Sequence, residues 1–139
     1  MTDSPNVELV RSICADWERG DYRDTEWADS EIEFVIADLP DRSSRSGVAG
    51  MGEGWREFLS AWEGHHVEME EYRELDAERV LVLGRFVARG RTSGLDAQQM
   101  RTEGANIFHI SDGKVRRLVI YFDRAHALAD LGLTPEGDP

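Results

Sequence analysis

At 139 residues the chain is of single-domain size, and its sixteen basic against twenty-eight acidic residues leave a net charge of −12. A chain this acidic repels nucleic acid and anionic lipid surfaces at long range, so neither is an expected partner. Its one cysteine, Cys14, excludes an intrachain disulfide and a cysteine-based zinc site. The acids are concentrated early: residues 1–78 hold twenty-one acids and seven bases, residues 79–139 seven acids and nine bases.

Ser4 followed by Pro5 reads as an N-cap with proline at the first helical position, and Val7, Val10, Cys14 and Trp17 recur at helical spacing until Gly20. Cys14 on that apolar stripe reads as a buried, inert thiol. A short second helix is expected over 21–28, bringing Tyr22 and Trp27 inward, and a strand over 31–36 that includes Phe34. Residues 38–47, with Pro40 and three serines, read as a loop. Val48, Met51, Trp55, Phe58, Leu59 and Trp62 then fit a helix over 48–63 closed by Gly64. Strands follow over 65–74, with a bulge near Glu71, and over 80–90; residues 91–97 form a polar connection.

The longest β-rich run centres on Ser111-Asp112-Gly113-Lys114, an Asp-Gly hairpin turn between two stretches of β-branched and apolar residues. Counting back from a Ser111–Lys114 pair sets Phe108 opposite Arg117, Asn106 opposite Val119, Gly104 opposite Tyr121 and Thr102 opposite Asp123. That register places Thr102, Asn106, Tyr121 and Asp123 on one polar face, since opposed residues share a face. A terminal helix over 124–132 and a frayed tail over 134–139 complete the chain. Helices followed by a run of strands predict an α+β fold with a curved antiparallel sheet, helices packed on one face, and one domain over 1–139.

On the polar face Asp123 has two readings: a proton carrier, if shielded from water, or the N-cap of the final helix. Tyr121 stands either as a donor to a developing oxyanion or as a core residue with a locally satisfied hydroxyl, and Asn106 as a ligand-orienting amide or one bonded to backbone. His65-His66 is unsuited to metal, because adjacent strand residues point to opposite faces. His109, opposite Arg116, should be exposed, and His126 has no partner in view. Trp17, Trp27, Trp55 and Trp62 are pocket or core aromatics. Arg85 and Arg89 face either a ligand carboxylate or solvent. No nucleotide-binding or nucleophile-elbow motif occurs. Met1–Asn6 lacks a basic and an apolar region, and no apolar run approaches membrane-spanning length, so a cytoplasmic protein is expected.

Five segments carry a family resemblance: Trp17-Glu18-Arg19-Gly20-Asp21; Gly47-Val48-Ala49-Gly50; Asp112-Gly113-Lys114-Val115; Tyr121-Phe122-Asp123-Arg124 with Ala127-Leu128; and Leu131-Gly132-Leu133. With them the chain resembles the SnoaL-like branch of the nuclear transport factor 2-like superfamily, which also includes ketosteroid isomerases and limonene epoxide hydrolase. The resemblance implies a cone-shaped α+β fold around a mostly apolar pocket, a homodimer packed through the sheet, and a carboxylate at Asp123 where acid-base members often place one. The first expectation is a cofactor-free isomerase, cyclase, lyase or hydrolase in which Asp123 exchanges a proton with an apolar polyketide-, steroid- or terpene-like molecule, with Tyr121 of the same strand face as the second catalytic candidate. The alternative is a non-catalytic ligand-binding or dimerisation domain. Asn106, Thr102, Trp17, Trp27, Phe34 and Arg85 are the expected pocket residues; no metal and no cofactor are expected. The chain departs from the epoxide hydrolases in lacking their Arg-x-Asp pair: its nearest arginines read Arg85-Phe86-Val87 and Arg89-Gly90-Arg91.

Overall fold

A computed structural model describes residues 4–21, 25–37, 43–60, 62–90 and 99–132. Helix α1 (Pro5–Glu18) starts as its sequence predicts: Ser4 is the N-cap, and its hydroxyl accepts the Val7 N–H at 3.2 Å. The helix buries Val7, Val10, Ile13, Cys14 and Trp17. Burial pushes the Cys14 thiol pKa up to about 12, which leaves it protonated and inert.

The short helix expected over 21–28 gives way to a turn and to strand β1 (Ala28–Ile36). Trp27 is needed extended, because its carbonyl accepts the Val115 N–H at 2.8 Å while its ring enters the core. Tyr22 lies outside the described residues. The end of the expected loop forms β2 (Ser43–Ser46), which pairs antiparallel with β1. Helix α2 (Gly47–Ser60) stops short of the boundary expected from its periodicity, and Trp62 instead opens β3 (Trp62–Glu74). Strands β4 (Arg79–Gly90), β5 (Gln99–Ser111) and β6 (Lys114–Tyr121) and helix α3 (Arg124–Leu131) complete the order. The connection over 91–98 and the tail beyond 132 lie outside the described residues.

The strands form one sheet in the order β2-β1-β6-β5-β4-β3. It is mixed rather than wholly antiparallel, because β1 runs parallel to β6. That pairing joins the first strand to the last, a non-local contact that no turn in the sequence announces. Helices α1 and α2 pack on one face, over a core that includes Val80, Val82, Phe108, Leu118 and Ile120. Helix α3 packs on the other face, where Ala127 and Leu128 meet Leu81, Leu83, Ile107, Val119 and Tyr121.

The hairpin turn forms as predicted, with Asp112 at φ 53°, Gly113 at φ 75°, and Ser111 facing Lys114. The register beyond it does not hold. Ile110 faces Val115, but His109 faces Arg117, so Arg116 is the extra residue of a β-bulge. The slip of one residue pairs Phe108 with Leu118, Asn106 with Ile120, and Ala105 with Tyr121. Its physical benefit is direct: without the bulge, fully buried Phe108 would share its face with Arg117 rather than with fully buried Leu118.

Candidate ligand pocket

The sheet face under α1 and α2 is built in rows set by the register across β4, β5 and β6. Val80, Phe108 and Leu118 make a row of side chains that fills its space completely, each 0% exposed. Val82, Asn106 and Ile120 make the next row. Gly84 then faces Gly104, and this row has no side chains on either strand. Phe86, opposite Thr102, follows.

The glycine pair lines the cavity and brings no side chain into it. A Cβ on Gly84 would lie 2.7 Å from the Glu68 carbonyl oxygen, and one on Gly104 would lie 2.5 Å from the Tyr121 carbonyl oxygen. Neighbouring backbones approach too closely for any side chain, as happens where a sheet bends sharply. Beside this bend, the β3 register shifts between Met69 and Glu71. Over the bare row lies a partly open cavity of about 60 Å³. A single buried water needs roughly 10–15 Å³ by such a measure, so this space holds several waters or part of an organic ring.

The roof and walls are apolar. Trp17 comes from α1, Trp55 from α2, Val67 and Met69 from β3, and Phe122 from the end of β6. Trp17 stands edge-on to Trp55 with ring centroids 5.2 Å apart, and it stacks on Phe108 at 5.7 Å. Trp27 and Phe34, expected at the pocket, lie behind this layer: Trp27 meets Trp17 at 6.2 Å and Phe34 meets Trp55 at 5.2 Å. They hold the lining rings in place and do not line the cavity.

Asn106 is the polar side chain that faces the cavity among the described residues. It is half-buried and makes no side-chain hydrogen bond to any described residue, so its amide donors and carbonyl acceptor are open to an occupant. Thr102 stands one row beyond the glycine pair on the same strand, across from Phe86.

The two residues expected to carry chemistry are turned elsewhere by the bulge. Tyr121 borders the cavity from a strand position whose side chain turns to the opposite face, where its hydroxyl donates to Asp130 at 2.8 Å and its ring stands edge-on to His126. His126, which had no partner in view, also lies 3.5 Å from Asp130. Asp123 is exposed and caps α3, accepting the Ala125 N–H at 3.0 Å. The proton-carrier reading needs a shielded carboxylate on Asn106's face, whereas Ile120 is the residue opposite Asn106.

Arg85, expected at the pocket, does border the cavity, from a strand position whose side chain alternates to the opposite face. Its Nε lies 3.1 Å from Glu70, a residue that also accepts from Arg124 at 2.7 Å, while Arg124 donates to the Gly84 carbonyl at 3.2 Å. The Arg124 hydrogen bond, opposed by partial desolvation and aided by Arg85, holds the Glu70 pKa below its usual value of 4.5. On the same face Glu33, Arg117, His109 and Arg79 line up across four strands. Arg117 pairs with Glu33 at 3.2 Å and Arg79 with Asp76 at 2.8 Å. His109 therefore sits between two guanidinium groups rather than exposed beside Arg116; burial first, then Arg117 and Arg79, lower its pKa. Among the described residues no group of three or more His, Cys, Asp or Glu is placed to hold a metal ion.

The pocket partners missed by sequence reasoning are Phe86, Phe122, Val67 and Met69. The signal that was present is the isolated glycine inside each of two strands, at 84 and 104, which marks close backbone approach.

A curved sheet roofed by helices around an apolar cavity defines a class of pocket-forming α+β cone. No family profile and no curated protein matches the sequence. Solved structures do match the fold. A protein from Jannaschia sp. CCS1 named for the SnoaL-like polyketide cyclases is 14% identical, with a TM-score of 0.73 over 97% of this chain and 99% of that one. TerC, co-crystallised with polyporic acid, is 21% identical with a TM-score of 0.70 over 92% of this chain and 98% of that one. A Catenulispora acidiphila protein with a ketosteroid isomerase-like fold, in complex with trimethylamine, is 12% identical with a TM-score of 0.68 over 95% and 98%. The chain has the nuclear transport factor 2-like fold that SnoaL-like and ketosteroid isomerase-like proteins share. Among the described residues no helix is long and apolar enough to cross a membrane.

Proposed function

We propose that the protein binds a small, mainly apolar molecule in the cavity between the Trp17–Trp55 roof and the Gly84–Gly104 floor, and that this binding is its function. The observation that carries the reading is the bare glycine row beneath an aromatic roof. The cavity is smaller than the roughly 150 Å³ that accommodates benzene in an engineered apolar core, so the ligand inserts one ring or branched end and the half-buried Trp55 and Phe122 give way around it. One end of a polyketide-, steroid- or terpene-like molecule fits that description, with the rest in the open side of the pocket. Catalysis by proton transfer is the less favoured reading, because the ionisable described residues that border the cavity, Arg85 and Tyr121, are engaged with Glu70 and Asp130.

Titration with cyclic terpenes and single-ring polyketide fragments, followed by tryptophan fluorescence and calorimetry, tests the proposal. One saturable site per chain is expected. Met69→Trp, which fills the cavity from β3, should abolish binding while the protein melts normally. Binding that ignores this substitution would place the ligand elsewhere, and chemical conversion of a bound compound would replace the binder with an enzyme. The proposal includes a homodimer, for which light scattering should return twice the 15.7 kDa chain mass.

A further inference from the structure

On the strands that pass the cavity, Arg79, Arg85, His109 and Arg117 sit on the sheet face away from it, and this bears on ligand class. This rests on the pocket reading above and goes beyond it. Strand β4 brings Arg85 past the cavity, yet the alternation of side chains sends the guanidinium to the opposite face, where Glu70 holds it. Tyr121 leaves by the same route to Asp130. Among the described residues that border the cavity only Arg85 is cationic, and its guanidinium is already paired with Glu70, so a ligand carboxylate or phosphate would have to shed its water with no uncommitted charge to replace it.

Long-range electrostatics act in the same sense. The net charge is −12, and residues 1–78, which supply Trp17, Trp55, Val67 and Met69 to the roof and wall, hold twenty-one acids against seven bases. An anionic ligand is slowed on approach and destabilised on arrival. A cation is drawn to the surface, but it meets no carboxylate inside.

What the cavity does offer is one carboxamide. Asn106 sits between Val82 and Ile120, at the last row before the floor falls away to glycine. It is the boundary between filled core and empty space, and its amide makes no side-chain hydrogen bond to a described residue. Leaving such a group unpaired when an apolar ligand displaces its water is unfavourable, so a ligand that carries a matching polar atom is preferred over one that does not. An amide both donates and accepts, and it therefore matches a carbonyl or a hydroxyl equally well.

We propose that the pocket selects an uncharged ring compound bearing a single carbonyl or hydroxyl group, that this group is read by Asn106, and that carboxylates and phosphates of the same shape are rejected. Asn106 is on this account the specificity-determining residue.

Three probes of one size separate the effects: acetophenone, ethylbenzene and benzoate, titrated into the intact protein and followed by NMR shifts. Acetophenone should bind best, and benzoate at least about tenfold more weakly. Asn106→Leu, nearly isosteric, should weaken acetophenone about fivefold to tenfold and leave ethylbenzene unchanged or slightly tighter, with an unchanged melting temperature. Benzoate binding as tightly as acetophenone overturns the proposal while leaving the pocket in place. So does an Asn106→Leu effect of equal size on both neutral probes. If none of the three binds wild type, or if binding survives Met69→Trp, the pocket reading falls and this inference falls with it.

Discussion

The two faces of the central sheet are built from the same strands and solve opposite problems. The face under α1 and α2 carries apolar rows that end in a bare glycine pair, and one carboxamide is the polar side chain that meets the cavity. The face under α3 also buries apolar side chains, Leu81, Leu83, Ile107 and Val119 among them, but it is crossed by ion-paired arginines at 79, 85 and 117. Arginine stems cover apolar surface while their heads reach carboxylates. The difference teaches that charge is kept off the cavity side by the alternation of a strand, without any loss of charged residues from the strand itself.

The sharpest way to break this contrast is to restore a side chain to the bare row. Gly104→Ala sets a methyl group against the Tyr121 carbonyl oxygen, at a distance of 2.5 Å unless the backbone moves. Backbone cannot swing aside as a side-chain tip would, so a loss of about 2–3 kcal/mol is expected in urea unfolding, together with weaker probe binding. A neutral result would mean that the bend is not enforced by close approach.

The opposite face should be more forgiving. Asp123→Ala removes the cap of α3 and should cost about 1 kcal/mol, while Asp123→Asn, which still caps, should cost much less. Neither should change ligand binding by more than about twofold, a small change by the affinity scale. Loss of binding in the Asn variant, with its melting temperature intact, would return Asp123 to the site and undo the assignment of chemistry to faces.

The smallest effect is electrostatic and belongs to the arginine-bearing face alone. His109 has a folded pKa below 6.5, so the unfolded chain takes up the proton first; stability is fully present above pH 6.5 and declines as pH falls towards the folded value. Glu70 has a folded pKa below 4.5, so its contribution is present above pH 4.5 and is lost as pH falls through the lowered value. Two shallow, separate declines in denaturation midpoint are expected. His109→Gln should remove the upper one and Glu70→Gln should shrink the lower, to which Asp76, held down by the Glu78 N–H and by Arg79, also contributes. A single decline untouched by both variants would show that these rows do not matter to stability.

Much of this architecture was legible residue by residue. Ser4-Pro5 and the stripe through Trp17 announced α1, and Asp112-Gly113 announced the hairpin turn, because caps and positive-φ turns are decided by chemistry within a few residues. What could not be read was decided far away in sequence. The bulge at Arg116 depends on which partner Phe108 finds across the sheet, and the parallel pairing of β1 with β6 depends on strands more than seventy residues apart. The candidate site inherited that error: one unannounced residue moved Tyr121 and Asp123 off Asn106's face, while Asn106 and Trp17, placed by elements read correctly, do meet the cavity.

The facing glycines have a consequence for how the proposed ligand site can change. The floor of the hollow lies where neighbouring backbones crowd two glycines, so no side chain can be added there without moving backbone. Its lining can then be retuned at Asn106, Met69 or Phe86, positions that decorate the hollow without creating it. On the proposed reading, a lineage changes what it binds by altering the upholstery of the chamber, leaving the masonry beneath it untouched.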